Sequence, residues 1–337
     1  MTDHNTVSAL DIGGQATTRP TNLNLATFVD DAVEAIRAHV GDSRVICALS
    51  GGVDSSVVAT LMHRAIGDKL TCVFVNHGLL RQGEADEVIR VFKDQFKIDL
   101  VYVDAEDRYL NLLAGVTDPE QKRHIIGGEF WKVFFEEAAK IDGVKFLAQG
   151  TIYPDIVESG TETDSKVKSH HNLVPFPDGV HFDLIEPVKF LFKDEVRAIG
   201  SELGLPDSIV HRQPFPGPGL GVRVVGDLTK EKLDMLRGAD AIVREEIAAW
   251  DTDRTVWQFF AVLLDIQSTG VKNGARTYAR PVVIRAINST NAMTAGVAEL
   301  PYELLTKMAN RIIAEVDGIN RVAYDITQKP PGTIEWE

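Results

Sequence analysis

Seven consecutive residues, Ser50-Gly51-Gly52-Val53-Asp54-Ser55-Ser56, place glycines, hydroxyls and a carboxylate between an apolar run at 45–49 and a helical pattern at 57–62. Glycines there let the backbone reach positive φ and come close to a ligand, while the free amides of a helix start favour an anion. Strand, glycine turn and helix together read as a phosphate-binding loop. The loop lacks the Gly-Lys-Ser/Thr ending of a Walker A motif, so no lysine extends from it to the terminal phosphates and chemistry other than γ-phosphoryl transfer is expected. A plainer reading keeps the turn and uses Asp54 and Ser55 only as helix caps.

Three further stretches carry polar or rigid chemistry outside any periodic pattern. Residues 157–180 include Lys166, Lys168, His170 and His171. A loop of that length points to a lid that closes over phosphates and excludes water, or to a solvated loop in which His171 only packs. A histidine metal centre is the weaker reading, because no carboxylate or cysteine stands at ligand spacing. Residues 212–221, RQPFPGPGLG, alternate proline with glycine and fix a stiff path suited to a hinge or to a backbone surface against a ligand. Residues 325–337, DITQKPPGTIEWE, are stiff rather than permissive. Lys329 can meet a phosphate as a point charge, Gly332 and Thr333 offer amides and a hydroxyl, and Glu335 can accept hydrogen bonds from a purine ring N–H. The competing reading docks this segment through Ile334 and Trp336.

The elements that must hold these groups follow from periodicity. Phe28, Val33, Ile36 and Val40 recur at helical spacing before the first strand. Buried strands are expected at 70–75, 100–103 and 145–148, with helical segments at 84–95 and 124–140 between them. Such βαβαβ wiring gives a parallel, doubly wound sheet, whose ligands bind beyond the carboxyl ends of the strands. The 50–56 loop, Asn76, His77 and the Gln149-Gly150-Thr151 turn belong at that edge. Residues 184–187 and a helix at 194–203 complete the first domain. Helices at 228–236, 239–250 and 302–313 with strands at 282–287 and 321–326 make a small α+β domain.

With 337 residues, 44% of them hydrophobic, the chain is long enough for two domains. Net charge is −14, from 49 acidic against 35 basic residues, which argues against a broad nucleic-acid surface and leaves anionic ligands to local basic groups. Cys47 and Cys72 lie in apolar runs, as small buried hydrophobes rather than a disulfide, which suits a reducing cytoplasm. No apolar run reaches the roughly 20 residues of a membrane span, and no leader pattern opens the chain.

The heptad resembles the pyrophosphate loop of the N-type ATP pyrophosphatases, which cleave ATP between the α and β phosphates. Beyond residue 25, GLLR at 78–81, QGT and YPD within 149–155, KSHHN at 168–172, PFPGPGLGVR at 214–223 and KPPGTIEWE at 329–337 resemble, in order, the synthetase part of the GMP synthetase family. That resemblance implies an adenine nucleotide alpha hydrolase-like domain at residues 23–213, with the lid at 157–180, and an XMP-binding dimerisation domain at residues 214–337. Residues 1–22 are expected as a flexible arm. The implied reaction adenylates XMP at the carbon-2 oxygen with MgATP and then aminates it with ammonia, giving GMP, AMP and pyrophosphate.

Residue by residue, the resemblance assigns Ser50, Gly51, Gly52, Val53, Asp54, Ser55, Ser56 and Gly150 to ATP, and Asp54 and Asp155 to Mg²⁺. It gives Lys168 and His171 an electrostatic role at the phosphates. Arg123, Arg276, Lys329, Thr333, Ile334 and Glu335 fall to XMP. The chain departs from the family at Asn273-Gly274-Ala275-Arg276, where an aspartate precedes the arginine in the family's usual pattern, and at Gln267 and Asn76. Neither cysteine suits a glutaminase nucleophile, so ammonia must come from solution or from a separate glutamine amidotransferase subunit. Met1 and the polar arm after it favour a stand-alone subunit, working as a homodimer without nucleic acid or membrane. A catalytically weak nucleotide-binding regulator and another N-type pyrophosphatase are the alternatives.

Overall fold

A computed structural model of the chain describes residues 10–14, 17–21, 23–160, 182–272, 274–290 and 292–337. Along the chain run α1 (Phe28–Val40), β1 (Arg44–Ala48), α2 (Val53–Ile66), β2 (Leu70–Asn76), α3 (Glu84–Val88) with a wider helical turn over Ile89–Gln95, β3 (Asp99–Asp104), α4 (Glu106–Leu113), α5 (Pro119–Ala138), β4 (Val144–Ala148) and α6 (Tyr153–Gly160). After the segment that is not described come β5 (Asp183–Ile185), α7 (Lys193–Glu202), α8 (Asp207–Val210), β6 (Val224–Val225), α9 (Lys230–Trp250), β7 (Gln258–Leu264), β8 (Ser268–Lys272), β9 (Ala275–Asn288), β10 (Gly296–Val297), α10 (Tyr302–Glu315) and β11 (Ile319–Tyr324).

The chain divides into two compact units. One takes in residues 1–75, 86–103 and 131–212, the other 76–85, 104–130 and 213–337. The first is built on a five-stranded sheet in the order β3-β2-β1-β4-β5. Its β1–β2, β1–β4 and β4–β5 ladders are parallel, with Cys47 opposite both Cys72 and Ala148. Val45, Ile46, Val73, Phe146 and Leu147 are buried in its core, as continuous apolar strands require when helices cover both faces. Strand order reverses at β1, between β2 and β4, which is where a doubly wound sheet opens a crevice. The parallel α/β expectation is borne out.

In the second unit β10, β9, β7 and β6 form one path, and β11 and β8 add to β9 in parallel and antiparallel pairing. Phe260, Val262 and Val283 pack together at its centre. β7 and β8 were not expected, and two expected features differ. One continuous helix, α9, replaces the expected pair; at Gly238, where the pair was expected to divide, the helix runs on half-buried with the Val316 side chain close against it. The arm at 1–22 was expected to be flexible, yet its described part is docked: Leu10 and Ile12 are buried, and the Ile12 carbonyl accepts from the Glu186 amide at 2.7 Å. Two apolar residues in a polar stretch give no periodic signal. Among the described residues no helix is long and apolar enough to cross a membrane.

Candidate functional site

The β1 strand ends with the Leu49 amide still paired to the Val73 carbonyl at 2.9 Å, after which the chain turns at once into α2. Gly51 takes φ +75°, a conformation that costs an L side chain energy. Gly52 caps α2 in extended geometry without a side-chain cap, so the first-turn amides keep their anion-binding character. The serines brace the turn rather than cap it. Ser56 Oγ donates to the Gly52 carbonyl at 2.7 Å, Ser50 Oγ and Ser55 Oγ lie 3.0 Å apart, and the Ser50 amide donates to Ser55 Oγ at 3.2 Å. From the end of α8, Arg212 Nη1 donates to the Gly51 carbonyl at 2.8 Å.

At the neighbouring strand end, Gly150 approaches the loop so closely that a Cβ there would lie 3.0 Å from the Ser55 amide nitrogen and 3.1 Å from the Asp54 carbonyl carbon. Its neighbour Thr151 donates through Oγ1 to Glu186 Oε1 at 2.5 Å. Asp54 points from the first turn of α2 to Lys193, whose ammonium reaches both carboxylate oxygens at 2.7 and 2.9 Å. Both side chains remain partly open to solvent. Asp155 is exposed in the first turn of α6, and one of its oxygens accepts from the Ile152 amide at 2.9 Å.

No cluster of three or more His, Cys, Asp or Glu suited to holding a metal occurs among the described residues. Asp54, partly open beside the first-turn amides of α2 and paired with Lys193, has the donor chemistry that fits Mg²⁺, which binds through one or two carboxylates and completes its shell with phosphate oxygens and water.

In the second unit the last residues of the sequence are held by buried cations. Arg223, fully buried, forms a two-pronged pair with Glu335 at 2.8 and 2.9 Å, and Gln258 Nε2 adds a bond to the same carboxylate at 3.3 Å. Buried Lys122 bonds Glu337 and the Val224 carbonyl, and Arg123 bonds the Glu337 carbonyl. Arg285 donates to the carbonyls of Thr327 and Thr333, the latter at 2.9 Å, and pairs with Asp325 at 3.3 Å. Ile334 packs on the Phe260 cluster. Lys329 pairs backbone to backbone with Ala295 and directs its ammonium to the Ala292 carbonyl at 2.8 Å; the Lys329–Pro330 and Pro330–Pro331 peptides are cis.

Family comparisons agree along the chain. The model described as "GMP synthase C terminal domain" matches residues 245–336, and "Asparagine synthase" matches residues 25–108. The GMP synthase [glutamine-hydrolyzing] of Geobacillus kaustophilus is 58% identical over 313 residues, which cover 93% of this chain and 61% of that protein. The putative GMP synthase [glutamine-hydrolyzing] 2 of Bacteroides thetaiotaomicron is 57% identical over 316 residues, covering 94% of this chain and 73% of that protein. This chain belongs to the GMP synthase family. It spans 61% of the length of the first relative named. Among solved structures, the NH3-dependent NAD synthetase from Campylobacter jejuni aligns over 68% of this chain and 85% of its own, at 13% identity and a TM-score of 0.42.

Within the first unit the structure brings together the loop residues Ser50 to Ser56 with Gly150. Within the second, Thr333, Ile334 and Glu335 lie along the 325–337 segment, and Arg123, on α5, reaches that segment at Glu337. Lys329 lies on the same segment with its ammonium turned to a backbone carbonyl, and Arg276 stands exposed at the start of β9. Lys168 and His171 lie outside the described residues, as does Asn273 of the departure from the family pattern.

Sequence reasoning gave no role to Lys193, Arg212, Arg223 or Lys122. A signal existed for Lys193, because a lysine at a helix start opposes the helix dipole and so needs a local carboxylate. Arg223 stood inside a quoted motif, but its partner lies 112 residues away.

Proposed function

We propose that this chain carries the synthetase reaction of its family. ATP binds with its phosphates on the first turn of α2, and XMP is bound by residues of the last segment. The carbon-2 oxygen of XMP attacks the α-phosphorus, the bond to pyrophosphate breaks, and an adenyl-XMP intermediate forms. Ammonia then adds at carbon-2, AMP leaves with the oxygen, and GMP results with release of a proton. One observation carries the ATP half: a helix start without a side-chain cap behind a glycine turn, approached by Gly150 so closely that a Cβ there would press on the loop backbone.

In this reading Ser50, Gly51, Gly52, Val53, Asp54, Ser55 and Ser56 cradle the departing pyrophosphate through their amides, and Lys193 supplies the ammonium that neutralises charge beside Asp54. Asp54, with Asp155, is the carboxylate that would hold Mg²⁺, whose charge offsets that on the phosphates. Lys168 and His171 serve the phosphates from the lid. Arg123, Arg276, Lys329, Thr333, Ile334 and Glu335 serve XMP, the lysine on the nucleotide phosphate and the glutamate on the base. Residues 23–213 form the ATP-pyrophosphatase domain and residues 214–337 the dimerisation and XMP domain.

A homodimer in the cytoplasm, fed with ammonia by a separate glutamine amidotransferase, completes the proposal. Neither a different pyrophosphatase nor a nucleotide-binding regulator is favoured by identity running through 93% of the chain. The test is an assay of purified protein with MgATP and XMP, run with ammonium and with glutamine in parallel. Pyrophosphate, AMP and GMP are expected with ammonium and not with glutamine alone; absence of AMP and GMP with ammonium refutes the reading.

A further inference from the structure

The described part of the segment before α1 is a strap seated against the elements that carry the phosphate site, all within the first unit. Lys189, nearly fully buried, donates to the Gly14 carbonyl at 2.7 Å and to Asp11 at 3.3 Å, and fixes the near end. At the far end Arg19 pairs with Glu195 through two bonds of 2.6 and 2.8 Å. Glu195 also accepts from the Phe192 amide at 2.8 Å and so closes the first turn of α7. The Arg19 guanidinium lies 4.8 Å from the centre of the Phe192 ring, and that ring meets Tyr153 edge-on at 5.3 Å. Tyr153 opens α6, two residues before Asp155, whereas Lys193 opens α7 and bonds Asp54. One guanidinium therefore braces the starts of both helices.

The charges support a fixed contact. Burial pushes the Glu195 carboxyl upward, yet the bonds from Arg19 and the Phe192 amide outweigh it and hold the group below the usual carboxylate range. The Arg19 guanidinium is correspondingly raised by its bond to Glu195. Bidentate arginine–carboxylate pairs fix orientation as well as distance, which a lysine in the same place does only in part.

We propose that the strap, through Arg19, is a positioning element of the phosphate site: it sets the first turns of α6 and α7 so that Asp155 and Lys193 stay aligned with the 50–56 loop, and its release slows ATP cleavage. Arg19 acts through Glu195 and Phe192 and touches no substrate. The inference rests on the reaction proposed above.

The experiment compares wild type, Arg19→Ala, Arg19→Lys and the control Arg64→Ala, which removes an exposed pair with Asp30 at 3.9 Å. Steady-state pyrophosphate release with MgATP, XMP and ammonium gives kcat and KM for ATP, and amide hydrogen exchange follows residues 153–157 and 193–197. For Arg19→Ala, kcat/KM for ATP is expected to fall roughly ten- to hundredfold, the size of effect seen when an outer-shell support or a sub-ångström alignment is lost. Exchange in both turns accelerates, Arg19→Lys recovers part of the rate, and Arg64→Ala matches wild type.

Kinetics within twofold of wild type for Arg19→Ala, or a loss no larger than its unfolded fraction, overturns the proposal. So does faster exchange with unchanged kinetics. If wild type itself releases no pyrophosphate, the proposed reaction fails instead, and exchange together with the calorimetric affinity for MgATP decides the role of the strap. Unchanged values of both in Arg19→Ala would then reject it.

Discussion

Replacing Glu335 with alanine leaves the Arg223 guanidinium without its principal partner in a place where water cannot take over. Arg223 is fully buried, between the rings of Phe215 and Phe260 at 5.2 and 3.9 Å, and the next carboxylate, Asp240, is 4.0 Å from Nη1. Asp240 is itself committed to Arg244 at 2.9 Å and to the Ala261 amide at 3.2 Å. Removing one member of a buried pair costs about 3–5 kcal/mol, because the cost is that of stranding the other charge. In a cooperative unit of some 150–250 residues each kcal/mol moves the thermal midpoint by about 2–4 °C, so a fall of about 10 °C is expected for the second unit.

Glu335→Gln should lose less, since its amide oxygen still accepts from Arg223. The double variant Arg223→Met/Glu335→Met should recover much of the loss, because replacing both partners removes the desolvation cost. Differential scanning calorimetry at matched pH reads all four proteins, and added salt should change little because the pair is shielded from counterions. A midpoint for Glu335→Ala within about 2 °C of wild type would show that Arg223 finds other partners and refute the reasoning.

Other outcomes follow from single contacts. His77 is buried and its imidazole is lowered to about 4, because burial penalises the charged form, with Arg237 acting the same way and Glu84 opposing. The unfolded chain therefore takes up this proton first as pH falls, so the contribution is intact above pH ~6.5 and drains away by about pH 4, some 3 kcal/mol in all. His77→Asn should flatten the midpoint-versus-pH curve in that window, and a parallel curve would remove His77 as its cause. Gly150→Ala drives a methyl against the backbone at Ser55 and Asp54, an overpacking of about 1–3 kcal/mol that should raise KM for ATP; an unchanged KM would mean the strand end is free to retreat. Asp54→Ala should abolish pyrophosphate release while Lys329→Ala chiefly raises the XMP requirement. Equal losses at saturating XMP in both would contradict that division.

Local patterns carried the first unit and failed on its long-range ties. The run at 45–49 and the heptad after it are legible because strand, turn and helix signals sit side by side, and Gly150 is legible as the end of the next buried strand. The second unit is less legible. Between 250 and 282 the pattern does not mark β7 and β8 as strands, since Phe259 to Leu264 form a continuous apolar run that could equally belong to a buried helix. The docked strap shows the same limit, because Leu10 and Ile12 acquire meaning only against Glu186 and Lys189 far along the chain. Ion pairs such as Lys122 with Glu337 have no local signature at all.

The charge of the whole chain pointed away from this arrangement. A net charge of −14 suggests scattered carboxylates in water, yet three fully buried cations of the second unit, Lys122, Arg223 and Arg285, all bond residues between 325 and 337. Buried pairs add little net stability over apolar packing, but they accept only one geometry. A segment with two adjacent prolines and few apolar anchors gains from them a single backbone path instead of an ensemble.

For Glu335 the consequence is specific. Both of its oxygens are held by Arg223, so the carboxylate reaches a purine N–H only through its remaining lone pairs, in a direction the arginine dictates. Glu335→Gln can keep part of the hold on Arg223 while losing the charge offered to the base. XMP affinity should therefore fall more than stability in that variant, whereas Glu335→Ala loses both together. Calorimetric titration of XMP beside the thermal midpoints separates the two roles, and a Gln variant that binds XMP as tightly as wild type would leave Glu335 a purely structural partner of Arg223.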